Sequence, residues 1–500
     1  EWGPDNWHPD IMGAQMLESA HRLLSAENPL GEGPSLAAPS RHRLSIGQEL
    51  RSEVLRFYAG DNFASHLAQL PDLAEGVVEA CLGKQGKSYS CVVRRLRPSG
   101  FPEWEDTSVP TRLFEEMDEL GPPSGVFYKT RLDAGRIRKA KQVGDLEALL
   151  AEAGCGSVSL GPAGPHPHGL ESRPNVLLLV DAEDEPHLSL LFADGSVLQA
   201  APVISEAPRQ NSRLPVDFAE TAGKTAGVVG LGSVGSKLAA SLARSGVRRF
   251  VLVEEDVLLP ENLVRNDLDW RDVGEHKVHA AKLKLELLAP GVEVEVYNLH
   301  LTGQESNARV AGALKRLGGC DVIVDATADP GVFNLLSHVA TKYSRALVWS
   351  KVYAGGIGGM VARSRPSLDP APERMRAAYH QAVADSPEPG PSGGERYEAE
   401  GEEEPLVASD ADVAIIAGHA AALSLDTMLR PEDTAYPSSM YLVGLKEGWL
   451  FTQPFHNVPI STEYLPEKTD EPVDPEAESE GIRFLMDLVE KETGAHPPAR

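Results

Sequence analysis

The chain of 500 residues carries 74 acidic and 47 basic residues, which gives a net charge of -27 at pH 7. Nucleic-acid binding requires a basic surface, so this charge excludes nucleic acid as an expected partner. Hydrophobic residues make up 42% of the chain, which is enough for sizeable cores in roughly two to four domains. No signal peptide is visible and the apolar run at 413–425 is too short to span a bilayer, so we expect a cytoplasmic protein without membrane contact.

The four cysteines are spread along the chain without any Cys-x-x-Cys pair: Cys81, Cys91, Cys155 and Cys320. This spacing indicates neither a disulfide framework nor a zinc site, and no zinc is predicted. Cys320 directly precedes an apolar run and is expected to be a buried, small hydrophobic residue.

Residues 1–45 contain a tryptophan and proline pair, Trp7-His8-Pro9, followed by a helical pattern from Ile11 to Leu24 and a break at Asn28-Pro29-Leu30. This order resembles the stretch that follows the active-site cysteine of ubiquitin-conjugating enzymes, and an ordinary amphipathic helix is the alternative. The chain begins at Glu1 without an initiator Met. The resemblance therefore implies a catalytic cysteine shortly before Glu1 in a longer protein.

Residues 46–215 are predicted to form an α+β module of unassigned role. Apolar periodicity predicts helices and strands in it. The helices are expected at 44–69 and 146–153, and the strands at 88–93, 176–180 and 188–192.

A glycine motif, Gly230-Leu231-Gly232-Ser233-Val234-Gly235, lies between the apolar runs 225–230 and 249–253. With a helical segment to about Gly246, this order predicts the strand, turn, helix and strand of a doubly wound, Rossmann-like α/β fold. Gly230 would permit the tight turn, Gly232 would let a phosphate approach the backbone, and Gly235 would let the helix lie close to the strand.

The end of the second strand adds an acidic residue, Glu254, placed to accept hydrogen bonds from ribose hydroxyls. The helix after the glycine motif offers free N–H groups to an anion. Glu254 and this helix N-terminus together predict a nucleotide site, but they do not identify the nucleotide. An NAD(P)-dependent oxidoreductase shares these features and is one alternative.

The residues after Glu254 narrow the choice, because Asp256 is followed by Asn262-Leu263-Val264-Arg265-Asn266 and then by Val273-Gly274-Glu275-His276-Lys277. Over about 223–429 the chain resembles the ThiF/MoeB and ubiquitin-activating adenylyltransferase superfamily, of bacterial type. Members use ATP to adenylate the C-terminal glycine of a ubiquitin-like protein. The resemblance implies triphosphate contacts from Asn262, Arg265 and Lys277, with Arg265 and Lys277 as catalytic cations, and a supporting role for Asp256.

The strand at 321–325 runs into Asp325-Ala326-Thr327-Ala328-Asp329. In the family this strand ends in Asp-x-Thr-Asp-Asn, and the second Asp helps to hold Mg²⁺ and the α-phosphate. A match without gaps puts Ala328 at that position. Since Mg²⁺ needs only one or two protein carboxylates, either Asp329 or Asp325 is expected to take over. The alternatives are that both acids only cap helices, or that the chain is a catalytically inactive scaffold.

The remainder completes a predicted adenylation domain at 216–465. It is expected to contain helices at 280–288, 304–317 and 409–428, and strands at 292–296, 347–353, 440–445 and 449–452. Residues 364–405 are rich in Pro, Gly and Glu and are predicted to be the acidic crossover loop of the family. Residues 466–500 are expected to be a linker with a helix at 482–489.

These patterns predict an enzyme that uses ATP and Mg²⁺ to adenylate a ubiquitin-like modifier or sulfur-carrier protein. The activated modifier would pass to a conjugating-enzyme cysteine. Because the superfamily pairs its adenylation domains, we expect a homodimer, with the apolar helix at 413–425 and the strands after it as the interface.

Overall fold

A computed structural model describes residues 8–27, 50–60, 62–85, 88–117, 124–155, 160, 175–203, 214–301, 308–386 and 408–462. The predicted break at 28–30, the predicted helix at 482–489 and residues 387–405 of the predicted acidic loop lie outside these residues. The chain divides into two compact units, Glu1–Ala219 with Leu283–Glu293, and Glu220–Lys282 with Val294–Arg500.

The first unit is built on one mixed sheet with the strand order β8-β7-β6-β5-β2-β3-β1-β9 and with β4 beside β3. Its strands are β1 (Leu55–Tyr58), β2 (Glu75–Gln85), β3 (Ser88–Pro98), β4 (Trp104–Glu105), β5 (Ser124–Lys129), β6 (Asn175–Val180), β7 (Pro186–Leu191), β8 (Val197–Gln199) and β9 (Ala201–Pro202). The strands predicted at 88–93, 176–180 and 188–192 are confirmed within β3, β6 and β7.

Strand β6 shows why this sheet is stable. It pairs with β5 on one side and with β7 on the other. Alternate side chains of a strand point to opposite faces, so Val176, Leu178 and Val180 enter one hydrophobic cluster while Leu177 and Leu179 enter another. A continuous apolar run is therefore needed, because both faces of this strand are covered.

The helices of the first unit are α1 (Gly13–Glu27), α2 (Phe63–Gln69), α3 (Thr111–Met117), α4 (Ala134–Lys139) and α5 (Val143–Glu152). Helix α5 confirms the prediction at 146–153. The helix predicted at 44–69 is confirmed only for Phe63–Gln69, as α2, and is wrong for the described residues before it. A 3₁₀ turn at Leu50–Ser52 is followed by strand β1 and then by α2. Leu55 and Phe57 alternate into the core as strand residues because β1 pairs with both β3 and β9.

The second unit is a doubly wound sheet with the order β12-β11-β10-β13-β14-β15-β16-β17. Its strands are β10 (Thr225–Val229), β11 (Arg249–Val253), β12 (Glu293–Tyr297), β13 (Val322–Asp325), β14 (Ala346–Val352), β15 (Gly358–Ser364), β16 (Met440–Gly444) and β17 (Asn457–Pro459). Strand β10 runs parallel to β11 and β13, and β13 runs parallel to β14. Strands β15 to β17 continue the sheet in antiparallel fashion. The predicted Rossmann-like α/β fold is confirmed.

The helices of this unit are α6 (Ser233–Arg244), α7 (Lys277–Leu288), α8 (Ala308–Leu317), α9 (Pro330–Tyr343), α10 (Pro372–Ala382) and α11 (Asp410–Leu429), although α7 belongs to it only up to Lys282. Helix α10 lies within the stretch predicted to be a loop, 364–405, so that prediction is wrong for residues 372–382. Met375 and Tyr379 of α10 are buried in the main hydrophobic core of the unit. Pro372 and Ala378 of this helix are buried as well, so one face of α10 is apolar and packed.

The strand predicted at 449–452 is also wrong. Gly448 and Phe451 form only an isolated bridge, and the last strand of the sheet is β17. Phe451 and Trp449 nevertheless fill the core, since Trp449 packs edge-on against both Tyr353 and Phe451. The apolar residues that indicated a strand are turn residues whose side chains point inwards.

Among the described residues, helix α11 alone is long and apolar enough to cross a membrane by length and composition, and 61% of its apolar window is buried. Ser409 caps its first turn and accepts a hydrogen bond from the Asp412 N–H, as the sequence predicts. Val413, Ile416 and Ala417 are buried in the second unit. These side chains are not available as an interface, and the homodimer stays a prediction.

Candidate functional site

The candidate site lies where three parallel strands of the second unit end. The register pairs Val229 of β10 with Val253 of β11 and with Asp325 of β13. The residues that follow, Gly230, Glu254 and Ala326, therefore meet at one edge of the sheet. Strand β10 is flanked by β11 on one side and β13 on the other, so this edge is the topological switch point at which open α/β sheets bind ligands.

The glycine turn has the close contacts that its motif predicts. Gly230 has a φ of +86°, a conformation that favours glycine, and its N–H donates to the Val253 carbonyl over 3.0 Å. A Cβ added at Gly235 would lie 1.9 Å from the Gly230 carbonyl oxygen, whereas a Cβ at Gly232 would meet no atom within 4 Å. Gly235 is therefore required by packing, and the space beside Gly232 is open.

This difference predicts that alanine lowers the stability of the chain at Gly235 but not at Gly232. Gly235→Ala should lower the free energy of unfolding by about 1–3 kcal/mol or more, because the new methyl group collides with backbone that cannot yield easily. Gly232→Ala should leave the unfolding midpoint within experimental error of the parent chain. Chemical denaturation followed by circular dichroism measures both, and equal midpoints for the two variants would contradict the packing role of Gly235.

The carboxylate of Glu254 braces the turn. Oε2 accepts a hydrogen bond from the Leu231 N–H over 2.8 Å, and Oε1 accepts from the N–H groups of Glu255 and Asp256 over 2.9 and 3.1 Å. The predicted ribose-binding residue thus also ties the end of β11 to the glycine turn.

A second brace was not predicted. The buried Asn266 donates through Nδ2 to the Leu231 carbonyl over 3.1 Å, and its Oδ1 accepts from the Leu268 N–H over 3.1 Å. The motif Asn262 to Asn266 contains this residue, but its spacing along the chain shows no link to Leu231. Only the fold brings the two together.

Lys277 contributes a positively charged ammonium group to the site. It is the first residue of α7 and is only 7% exposed, and its Nζ pairs with Asp256 Oδ2 over 2.9 Å. The Lys277 N–H also donates to the Asp256 carbonyl over 2.9 Å. Since burial of an unpaired ammonium is costly, Asp256 compensates the charge of Lys277 when no other anion is near.

These elements enclose a cavity of about 300 Å³. Six of the residues predicted from the sequence line it: Gly230, Gly232, Glu254, Asp256, Lys277 and Asp329. His300 also lines the cavity, and its Nδ1 pairs with Glu255 Oε1 over 2.7 Å. Neither His300 nor Glu255 was selected from the sequence.

Four of the predicted residues do not line this cavity: Gly235, Asn262, Arg265 and Asp325. Asn262 uses its Oδ1 to accept from the Leu259 N–H over 3.1 Å, which closes a 3₁₀ turn at Pro260–Val264. Arg265 follows that turn directly as its half-buried C-terminal capping residue.

The two acids after β13 have different surroundings. Asp325 is buried, and its Oδ1 accepts from the N–H and hydroxyl of Thr327 over 3.0 and 2.6 Å. Burial raises the pKa of the Asp325 carboxyl, and the hydrogen bonds from Thr327 oppose that rise. Asp329 is exposed, lines the cavity and caps α9, where its Oδ1 accepts from the N–H groups of Gly331 and Val332 over 2.7 and 2.8 Å.

Ala328, between them, adopts a φ of +56°, which is unusual for a residue with a Cβ. The alternative that these acids cap helices holds for Asp329, which caps α9. Asp325 does not cap a helix and instead accepts hydrogen bonds from Thr327, two residues further on. Asp329 Oδ2 makes no hydrogen bond to the described part of the chain.

Metal ligands are sparse at this edge. Among the described residues, no group of three or more His, Cys, Asp or Glu side chains is arranged to hold a metal ion. A Mg²⁺ bound mainly by phosphate and water requires fewer protein ligands than that. Asp329 fits such a role because it is exposed and lines the cavity, whereas Asp325 is buried and does not line it.

The cysteines do not take part in the cavity. Cys81, Cys91 and Cys320 are buried, and Cys155 is half-buried. Burial raises the pKa of the Cys91 and Cys320 thiols to about 12, so neither is a nucleophile at neutral pH. The prediction that Cys320 is a small buried residue is confirmed.

Two known protein families match parts of this chain. Residues 221–442 match the ThiF family, and residues 76–199 match a domain observed between E2 and E1 domains. Residues 221–442 are thus a ThiF family domain, and the preceding match covers most of the α+β module of the first unit.

Three curated relatives share part of the chain. The sulfur carrier protein adenylyltransferase of Thermus thermophilus is 34% identical over 127 residues, covering 25% of this chain and 44% of the relative. The ATP-dependent ubiquitin transferase-like protein Cap2 of Pseudomonas aeruginosa is 29% identical over 133 residues, covering 26% and 22%. The uncharacterized protein y4qC of Sinorhizobium fredii is 32% identical over 140 residues, covering 27% and 24%. The chain therefore spans less than half the length of each of these relatives.

Among solved structures, Escherichia coli MccB with ATP is similar at 15% identity, with a TM-score of 0.36, over 49% of this chain and 66% of that chain.

Proposed function

We propose that this chain uses ATP to adenylate the C-terminal carboxylate of a ubiquitin-like or sulfur-carrier protein. One carboxylate oxygen would attack the α-phosphorus, the bond to the β-phosphate oxygen would break, and pyrophosphate would leave. The observation that carries the proposal is the cavity of about 300 Å³ at the switch point, where the glycine turn, Lys277 and Asp329 converge. Such a reaction requires positioning and charge neutralisation, and both are available there.

Each residue of the site has a place in this proposal. The N–H groups at the start of α6 would bind phosphate beside Gly232, and Lys277 would exchange Asp256 for the triphosphate. Glu254 would accept from the ribose while it braces the turn. Asn262 and Arg265 stay predicted triphosphate contacts. Because they do not line the cavity, their 3₁₀ turn or side chains would have to move when nucleotide binds.

Mg²⁺ is part of the proposal, with Asp329 as its protein ligand. When bound, the ion would neutralise negative charge on the phosphates. The assignment of Asp329 and not Asp325 rests on two differences: Asp329 is exposed and lines the cavity, whereas Asp325 is buried and does not line it.

A comparison of two isosteric variants tests this assignment. Asp329→Asn should reduce Mg²⁺-dependent exchange of labelled pyrophosphate into ATP by more than Asp325→Asn does, and by at least about tenfold, since it removes a charge that faces the phosphates. Asparagine also caps helices, so α9 should persist in Asp329→Asn. A sulfur-carrier protein ending in Gly-Gly would serve as acyl donor. Unchanged rates in both variants would mean that neither carboxylate holds the metal.

A second candidate function is an inactive scaffold that recruits a partner. The observation that favours it is Ala328, which stands where the family has a carboxylate. Isothermal calorimetry and exchange separate the candidates. An active enzyme binds ATP and exchanges pyrophosphate, a scaffold does not exchange, and an NAD(P)-dependent oxidoreductase would bind NAD(H) in preference to ATP.

The acyl-adenylate would next pass to a cysteine of a conjugating-enzyme-like domain. Support comes from the match of residues 76–199 to a domain observed between E2 and E1 domains. The buried thiols of Cys91 and Cys320, with pKa values raised to about 12, are unsuited to that role. We propose a cytoplasmic location and a homodimer on the same family grounds, and light scattering tests the dimer.

A further inference from the structure

One surface segment of the first unit is basic although the chain is acidic. Residues 131–141 carry five basic residues and one acidic residue, whereas the chain as a whole has a net charge of -27. The segment contains helix α4 and the turn before α5. Ile137 and Ala140 are buried in a hydrophobic cluster of the unit, and all five basic residues are exposed. Positive charge is therefore concentrated on the outer side of α4.

The five basic residues of this segment divide into two groups. Arg131 Nη2 pairs with Asp72 Oδ2 over 2.6 Å, and Arg136 binds Glu152 through two hydrogen bonds of 2.8 and 2.6 Å. The side chains of the other three form no ion pair or hydrogen bond with any residue that the structure describes. These three residues, which we name the basic strip, are Arg138, Lys139 and Lys141.

Helix capping does not account for the basic strip. Basic residues near the C-terminus of a helix can stabilise its last carbonyl groups. At the end of α4, the carbonyls of Ile137 and Ala140 already accept hydrogen bonds from Gln199 Nε2 over 2.6 and 3.1 Å. The Lys141 carbonyl accepts from the Val197 N–H over 3.0 Å. The backbone at the strip is thus held by residues outside it, and the charges of the strip are available to a partner.

Of three classes of negatively charged partner, two require features that this segment lacks. Proteins that bind single-stranded nucleic acid stack bases on aromatic side chains, and residues 131–141 contain none. Amphipathic helices that bind a membrane surface insert apolar side chains beside their cations, whereas Ile137 and Ala140 are buried in the unit. A protein segment rich in carboxylates requires only the charges, because arginine and lysine bind carboxylates directly.

We propose that the basic strip binds an extended, acidic segment of a partner protein. Arg138 holds one carboxylate through two of its N–H donors, and Lys139 and Lys141 each pair with a further carboxylate. Exposed ion pairs are individually weak and are screened by salt. The strip therefore guides the partner to the first unit and adds a salt-sensitive share of the affinity. This role goes beyond the proposed function, because it uses residues of the first unit alone.

Fluorescence anisotropy with the full chain tests this role. The probe is a fluorescein-labelled peptide of alternating Glu and Gly, and its control has Gln in place of every Glu. At about 0.1 M salt, a Debye length of about 10 Å limits repulsion from the rest of the acidic chain. The Glu peptide should then bind at least about tenfold more tightly than the Gln peptide, since three exposed ion pairs together account for about that factor. Equal binding of the two peptides would overturn the proposal.

Two matched triple variants locate the binding. The first removes the charge of the basic strip through Arg138→Gln, Lys139→Gln and Lys141→Gln. The second removes the same charge from exposed positions of the second unit through Arg309→Gln, Lys315→Gln and Lys342→Gln. The first should lose the preference for the Glu peptide and the second should keep it, while circular dichroism should show the parent's fold in both. A preference that survives in the first variant, or that is lost equally in both, would overturn the proposal.

Competition separates an acidic protein segment from other polyanions. Unlabelled Glu peptide, an oligodeoxythymidine and vesicles that contain phosphatidylserine are each added, at equal negative charge, to the complex with the labelled Glu peptide. The unlabelled peptide should displace the probe most effectively. More effective displacement by the oligonucleotide or by the vesicles would contradict the assignment to a protein segment.

Discussion

Replacement of Lys277 by alanine is expected to reduce pyrophosphate exchange by about 10²–10³-fold while the fold is kept. Lys277 is buried at the cavity of about 300 Å³, and among the described residues only Asp256 compensates the charge of its ammonium group. Within such a low-dielectric site, one cation directed at the phosphates contributes several kcal/mol to the transition state. Exchange of labelled pyrophosphate into ATP, with a Gly-Gly-ending sulfur-carrier protein, measures the loss.

The control for this experiment is Lys282→Ala, which removes the same charge from the same helix at a position that does not line the cavity. It should keep nearly full exchange. Arg265→Ala is the informative companion, because the family resemblance makes Arg265 a second cation whereas the structure places it outside the cavity lining. Full activity in both Lys277→Ala and Arg265→Ala would refute the adenylation site.

Replacement of Arg363 by methionine should lower the free energy of unfolding of the second unit by about 3–5 kcal/mol. Arg363 is fully buried on β15, and its Nη1 pairs with Asp426 Oδ2 of α11 over 2.7 Å. Its Nη2 donates to Thr434 Oγ1 over 2.7 Å and to the Tyr436 carbonyl over 3.2 Å. Removal of the guanidinium leaves the Asp426 carboxylate buried without its main partner.

The double variant Arg363→Met with Asp426→Leu is the matched control. When both charges are replaced by apolar groups of similar size, no buried charge remains uncompensated, because the other partner of Asp426, Arg430, is 38% exposed and can be solvated. Most of the lost stability should therefore return. Urea unfolding followed by circular dichroism measures the midpoints of all three chains. An unfolding midpoint of Arg363→Met equal to that of the parent would show that this network contributes nothing.

The βαβ segment at 225–254 was predictable because its determinants are local. An apolar run of five residues, a turn that requires glycine at Gly230 and Gly235, and an acid at the strand end follow each other directly along the chain. Gly235 is the clearest case, since the atom that excludes a larger residue belongs to the same short turn.

Other features depend on partners distant in sequence and were missed. Strand β1 is set by its pairing with β3 and β9, which no pattern within 44–69 reveals. Helix α10 is fixed by burial of Met375 and Tyr379 in a core formed mostly by other segments. The brace from Asn266 to the Leu231 carbonyl joins residues that lie 35 positions apart.

The braced glycine turn has a thermodynamic consequence for its ligand. Glu254 holds three backbone N–H groups and Asn266 holds the Leu231 carbonyl, so the turn is already in place before a phosphate arrives. When a loop becomes ordered only on binding, the loss of its conformational entropy weakens the affinity for the ligand. Here that entropy is lost during folding instead. For the proposed nucleotide, the remaining costs of binding would be the release of Lys277 from Asp256 and the removal of water from the phosphates.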